Sequence, residues 1–204
     1  MKYLLLAACI VFSHSAFAQN SLKVSKISCP GILIDGQIVN EEWKGASSIS
    51  ISDSITLHLV QDQKYLFIAM KKNTPVVQPF YTDVFIKTDT AVYALHASFQ
   101  VGELSFADKA ADTLRYQFGN MKKWMANEVK GKKPGISRNQ PFVEQIYPYD
   151  GYEFQIDKSK LLSKNKDISI YIEIGSFIDG KIITTFPAKA ERKNSQNWSR
   201  LMLK

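Results

Sequence analysis

The chain has 204 residues, with 26 Lys plus Arg against 19 Asp plus Glu and a formal charge of +7. That length suits one domain with a core large enough to fold unaided. The positive balance is too moderate to mark a nucleic-acid binder, and none of the nucleic-acid-binding motifs occurs.

Residues 1–18 read as a secretory signal. Lys2 is the positive start, Tyr3 to Phe12 the apolar stretch, and Ala16-Phe17-Ala18 puts small residues around a cleavage point before Gln19. The apolar run is too short for a membrane span and stops at Ser13, His14 and Ser15. Leu6-Ala7-Ala8-Cys9 also matches a lipoprotein cleavage pattern, but only six apolar residues precede Cys9 and Ile10, Val11 and Phe12 follow it. Ordinary cleavage is therefore preferred to lipid anchoring at Cys9. The expected product is residues 19–204, exported to the periplasm or beyond, with a formal charge of +6 once Lys2 is lost. Its one remaining cysteine, Cys29, has no internal partner and reads as a small buried hydrophobe beside Pro30. No Cys-x-x-Cys-His run offers covalent haem attachment.

From Ile34-Asp35-Gly36 onward the dominant period is two. The Asp-Gly pair predicts a tight turn, since glycine accepts positive φ and the aspartate can bond its own backbone. Ile55–Val60 and Tyr65–Met70 are predicted strands joined by Asp62-Gln63-Lys64; the second is apolar on both faces, as a central strand is. His58, alternating away from Ile55, Leu57 and Leu59, is placed at the surface. Asp83–Lys87 is the next strand, then a turn at 88–90, then one long strand from Ala91 to Val101 ended by Gly102. Its apolar face is Ala91, Tyr93, Leu95, Ala97, Phe99 and Val101; Val92, Ala94, His96, Ser98 and Gln100 form a smaller, wetter face. Tyr152–Ile156, Ile168–Ile174 and Lys181–Phe186 follow, with Asp179-Gly180 as a hairpin turn, and Trp198–Leu203 closes the chain. Phe106 to Tyr147 is the irregular part, with residues 107–118 predicted as a strand and 120–128 as a short helix. The whole predicts an all-β, antiparallel β-sandwich of jelly-roll or immunoglobulin-like type with one long irregular insertion.

Four segments carry a resemblance. Ile34-Asp35-Gly36 with Trp43, the strand pair at 55–70, Asp83-Val84-Phe85-Ile86, and Gly151-Tyr152-Glu153-Phe154-Gln155-Ile156 with Leu161 stand in the order seen in family 9 carbohydrate-binding modules and the related DOMON domains. Phe186-Pro187 and Trp198 extend the likeness to the end of the chain; Asp157 replaces the proline usual after the fourth segment. The resemblance implies a sandwich over residues 19–204 that binds an oligo- or polysaccharide without cutting it.

No motif transfers the sugar-binding aromatics. Trp43 and Trp198 belong to the fold pattern and are expected in the core. Trp124, in the irregular segment among lysines, is either a loop anchor or a ligand platform. Tyr116 and Phe118 could supply flat faces, although they also read as the inward side of an extra strand. Arg115, Asn120, Asn127 and Lys122 could meet hydroxyls, and Tyr81, Tyr147 and Tyr149 flank nearby connections. The ligand set predicted here is Trp124, Tyr116, Arg115, Asn120 and Lys122. The basic run of Arg115, Lys122, Lys123, Lys130, Lys132, Lys133 and Arg138 would suit an anionic glycan, or be a solvated loop.

Other chemistries fare less well. Asp35, Glu41, Glu42, Asp53, Asp62 and Asp150 lie near turns but form no calcium loop, and no metal or cofactor is expected. Haem held by histidine and methionine, as in some DOMON-type carriers, would draw on His96 with Met70, Met121, Met125 or Met202. No nucleophile elbow, zinc pair or phosphate loop occurs, and the pair Asp150 and Glu153 is already explained by the fold pattern, so no catalytic residue is expected. A third reading is an envelope structural protein that kept the sandwich and lost the ligand. The oligomeric state is left open.

Overall fold

In a computed structural model the described residues are 21–28, 31–73, 80–106, 114–129, 131–132, 145–146, 149–161 and 168–204. The signal segment, Cys9, Cys29, Tyr147, Lys130, Lys133, Arg138 and residues 107–113 of the strand predicted over 107–118 lie outside them.

Sixteen strands are described: β1 (Ser21–Lys23), β2 (Ser25–Lys26), β3 (Ser47–Ser52), β4 (Ile55–Gln61), β5 (Tyr65–Lys72), β6 (Phe80–Lys87), β7 (Val92–Ala97) and β8 (Val101–Phe106) make the first half. The second half is β9 (Gln117–Phe118), β10 (Trp124–Ala126), β11 (Gly131–Lys132), β12 (Gln145–Ile146), β13 (Gly151–Asp157), β14 (Ile168–Ser176), β15 (Ile182–Phe186) and β16 (Ser199–Met202). The larger sheet runs β1-β16-β14-β6-β7-β8-β9, with β15 on the free part of β14's edge. The smaller runs β10-β13-β5-β4-β2, with β3 also on β4. β11 and β12 pair separately. Most pairings are antiparallel, as expected, but β1–β16 and β2–β4 are parallel, so both sheets are mixed.

The two sheets face each other across one core. Leu57, Leu59, Leu66, Ile68, Met70, Phe154 and Ile156 meet Val84, Ile86, Leu95, Ile170, Ile172 and Ile174. Each such side chain contributes roughly 1.5–3 kcal/mol by leaving water. The outer faces are also partly covered. Residues 31–46 lay Ile32, Ile38 and Trp43 over Val60, Phe67 and Ala69, which is why β5 is apolar on both sides. Ala190 and Trp198 similarly cover Phe85, Val92, Ala94 and Tyr171 on the larger sheet.

Glu153 ties the separate sequence segments together. Its Oε2 accepts the N–H groups of Asp35 at 3.1 Å and Gly36 at 2.8 Å, and its Oε1 accepts the Trp43 indole N–H at 3.0 Å. Gly36 has φ +86°, so the Asp-Gly turn is built as predicted, and the two N–H groups it leaves unpaired end on one buried carboxylate. Asp150 Oδ2 accepts the N–H of Ile38, and Asn127 bonds Gly151 and Glu153 through their backbones. Asp150, Glu153 and Asn127 therefore hold the fold, and Asn127 is buried rather than offered to a ligand.

Three local expectations are corrected. The strand predicted over Ala91–Val101 is two strands. Ser98 accepts the Gln100 N–H on its hydroxyl and donates to the Gln100 carbonyl, closing a turn that the apolar alternation had run straight through, and Gly102 lies inside β8. The helix predicted over 120–128 is a turn followed by β10, because Trp124 pairs with Ile156 and drops into the core, and Lys123 has φ 63°, which no helix accommodates. His58 is half-buried rather than at the surface. It bonds Ser48 at 2.8 Å and lies 5.9 Å from the Trp43 ring, and burial, with the charge of Lys71, lowers its pKa.

Candidate functional site

Strand alternation sends Val84, Ile86, Leu95 and Ala97 inward and Asp83 and His96 to the opposite face of the larger sheet. The register then lines up outward residues across five strands. Glu173 pairs with Asp83, Asp83 with His96, His96 with Gly102, and Gly102 with Phe118.

Two carboxylates on adjacent strands repel unless each has its own partner. Glu173 takes a two-point contact from Arg192 and the Tyr171 hydroxyl at 2.9 Å. Asp83 meets His96 Nδ1 at 2.6 Å, and His96 Nε2 meets Ser98 Oγ at 2.8 Å. Both nitrogens of His96 are thus occupied within the protein, and haem ligation would require it to surrender one. Among the described residues no three His, Cys, Asp or Glu side chains are grouped to hold a metal ion.

Aromatic rings lie over this charged floor. Tyr116 lies over His96 at 4.8 Å, tilted by 31°, Tyr81 lies 5.8 Å from His96, and Phe118 meets it edge-on at 6.0 Å. Phe177 continues the row 5.7 Å from Tyr81. Two glycines make room. A Cβ on Gly175 would overlap the Cζ–hydroxyl end of Tyr81, and one on Gly102 would stand 2.9 Å from Phe118 and 3.1 Å from Tyr116. Glycine inside a strand is costly, so its presence at both ends of the row reflects the close approach of these rings. Phe118 is 53% exposed. The Tyr116 hydroxyl is buried and faces the Asp83 carboxylate without a well-aligned hydrogen bond among the described residues. Burial, and then the charge of Asp83 beside it, pushes its pKa far above the usual tyrosine range, so it stays a donor. Flat rings beside a donor and a cation are what a polyhydroxylated ring needs.

The predicted ligand set is divided. Tyr116 belongs to this row, over the outer face rather than on the inward side of a strand, and Phe118 lies beside it. Arg115 is exposed next to Tyr116. Asn120 and Lys122 come together instead at a cleft on the other side of β9. Trp124 is only 6% exposed, stacked on Phe154 at 14°, with its indole N–H on Glu103. It supports the cleft wall and presents no face. Tyr149 packs against Phe80 and Tyr152 in the core. Sequence reasoning did not select Asp83, Glu173, Arg192 or Gly175. The available signals were Glu173, a carboxylate on the face opposite an unbroken isoleucine row, and glycines within strong strands.

No protein-family profile matches the chain, and no curated protein sequence matches it. Solved structures do. A family 9 carbohydrate-binding module from Caldicellulosiruptor kristjanssonii, in complex with cellotriose, is similar at TM-score 0.53 and 14% identity, over 91% of this chain and 94% of that one. A protein from Bacteroides uniformis named for carbohydrate binding is similar at TM-score 0.51 and 12% identity, over 89% and 98%. At such identities the likeness is one of fold: the chain is a β-sandwich like that of the family 9 modules.

Proposed function

We propose that the chain is a non-catalytic saccharide-binding protein whose ligand lies on the outer face of the larger sheet. The observation that carries this reading is the row Tyr81, His96, Tyr116 and Phe118, seated on glycines over the Asp83 carboxylate. Tyr116, Tyr81 and Phe118 stack on the apolar face of a sugar ring; Arg115 and Arg192 reach its hydroxyls from either side. The fold neighbour that holds cellotriose supports an oligosaccharide as the ligand class. Asp83 and Glu173 are buried and engaged by His96 and Arg192, so neither is poised for acid–base work on a glycosidic bond.

The acting unit is residues 19–204 as one domain, exported after cleavage following Ala18. Among the described residues no helix is long and apolar enough to cross a membrane.

A glycan array with purified residues 19–204, including cello-oligosaccharides, uronate-containing polymers and sulfated polymers, tests the reading. Binding that Tyr116→Ala abolishes in a folded protein supports it. Silence across the array overturns it in favour of an envelope protein without a ligand, and a Soret absorbance would instead favour the haem carrier.

A further inference from the structure

The same sheet edge has a second feature on its other side. Glu103 pairs with Gln117, one step from the Gly102–Phe118 pair, so these two side chains turn away from the aromatic row. They line a polar cleft of ≈ 190 Å³ with Leu104, Ser105, Asn120 and Lys122.

The cleft is held rather than loose. Glu103 Oε1 accepts from Lys160 Nζ at 2.6 Å and Oε2 from the Trp124 indole at 2.6 Å, so its charge is already met. Lys160, whose side chain is 7% exposed, also donates to the Lys122 carbonyl at 3.2 Å. The next carbonyl, of Lys123, accepts the Asp157 N–H at 2.8 Å. Gly119 and Lys123 are both left-handed, at φ 74° and 63°. A left-handed lysine is a strained choice that its surroundings must impose, and such strain gathers at ligand sites. The pinned turn holds Asn120 and Lys122 at the cleft mouth. Both are exposed, and Lys122 has no ion pair among the described residues.

We propose that this cleft is a second subsite, taking the carboxylate-bearing ring of an acidic sugar such as a uronate, a choice of ligand that rests on the saccharide reading above. The Lys122 ammonium meets the carboxylate. Ser105, Gln117 and Asn120 supply the mixed donors and acceptors that ring hydroxyls require. A cation does not suit the cleft, because both oxygens of Glu103 are occupied and Lys122 would repel it. Asn120 Nδ2 already donates to Gln117 Oε1 at 3.2 Å, which leaves Asn120 Oδ1, Gln117 Nε2 and the Ser105 hydroxyl for ring hydroxyls that a bare anion would not offer.

The test is a ¹H–¹⁵N titration of the labelled protein with sodium D-galacturonate, with D-galactose and with sodium acetate. Galacturonate should shift the backbone amides of Ser105, Gln117, Asn120 and Lys122, and acetate at equal concentration should not. Lys122→Ala, at an exposed position, should keep the spectrum of a folded protein and weaken galacturonate binding about fivefold. Added salt should weaken wild-type binding. Galacturonate shifts confined to His96, Tyr116 and Phe118 overturn the cleft subsite and leave the saccharide reading standing. Equal shifts with acetate overturn it as a sugar-acid site and leave only a patch of positive charge. An absence of shifts with galactose and galacturonate alike overturns both.

Discussion

The indole N–H of Trp124 donates to Glu103 Oε2 at 2.6 Å, joining the edge strand of the smaller sheet to β8, next to the edge strand of the larger. Trp124 is at once a core side chain, stacked on Phe154, and the donor that orients a carboxylate in the cleft wall. Two substitutions separate these roles. Trp124→Ala should cost about 3–5 kcal/mol in urea unfolding, as large aromatics removed from cores do. Trp124→Phe should keep most of the packing but leave Glu103 short of a donor, at about 1–3 kcal/mol. Neither effect acts directly on the aromatic row, so folded Trp124→Phe should bind neutral saccharides as the wild type does in titration calorimetry.

The strands were readable because burial of one face imposes period two, whereas the turn at Ser98 that splits Ala91–Val101 and the short strand Trp124–Ala126 in place of a helix carried no such period. What could not be read was pairing. Asp83 lies 13 residues from His96 and 90 from Glu173 along the chain, and they become neighbours only through strand register, which no local pattern records. Trp124 misled for the same reason. Two lysines precede it in sequence, whereas its neighbours in space are Phe154 and Glu103. Tyr116 was chosen for its flat ring, and its value to the site comes from lying over a histidine that sequence alone offered only as a haem ligand.

Glu153 should give folding a distinctive pH dependence. Burial raises its carboxyl to about 7 from 4.5, against the opposing pull of the Gly36, Trp43 and Asp35 N–H groups. A carboxyl raised by folding is favoured in its protonated form. This contribution is therefore whole below about 4.5 and is lost as pH rises from there to about 7. The loss is on the order of 3 kcal/mol. The check is the difference in unfolding free energy between wild type and Glu153→Gln from pH 4 to 8. Glutamine cannot titrate, so the difference should drift across that window and level off above it.

Gly175 and Tyr81 should behave as one unit. Gly175→Ala puts a methyl group where the Tyr81 ring lies, forcing the ring off the face or bending β14, at about 1–3 kcal/mol. Tyr81→Ala removes the obstacle. The double substitution should be more stable than the sum of the two singles by at least about 0.5 kcal/mol. Strict additivity in chemical denaturation would mean that the ring does not rest on Gly175.

Phe118 offers the sharpest separation of binding from folding. It is 53% exposed and paired only through Gly102, so Phe118→Ala should change stability by no more than about 1 kcal/mol. If its face carries a sugar ring, the same substitution should weaken saccharide binding by about 1–2 kcal/mol, most of it in the dissociation rate. Gly102→Ala tests the same surface from beneath. Its Cβ would press on both Phe118 and Tyr116, tilting two rings without deleting either. A saccharide that stacks on the row should lose affinity in both variants, whereas one bound only in the cleft beyond β9 should tolerate Phe118→Ala. Unchanged affinity in both, for every saccharide that binds the wild type, would remove the aromatic row from the site.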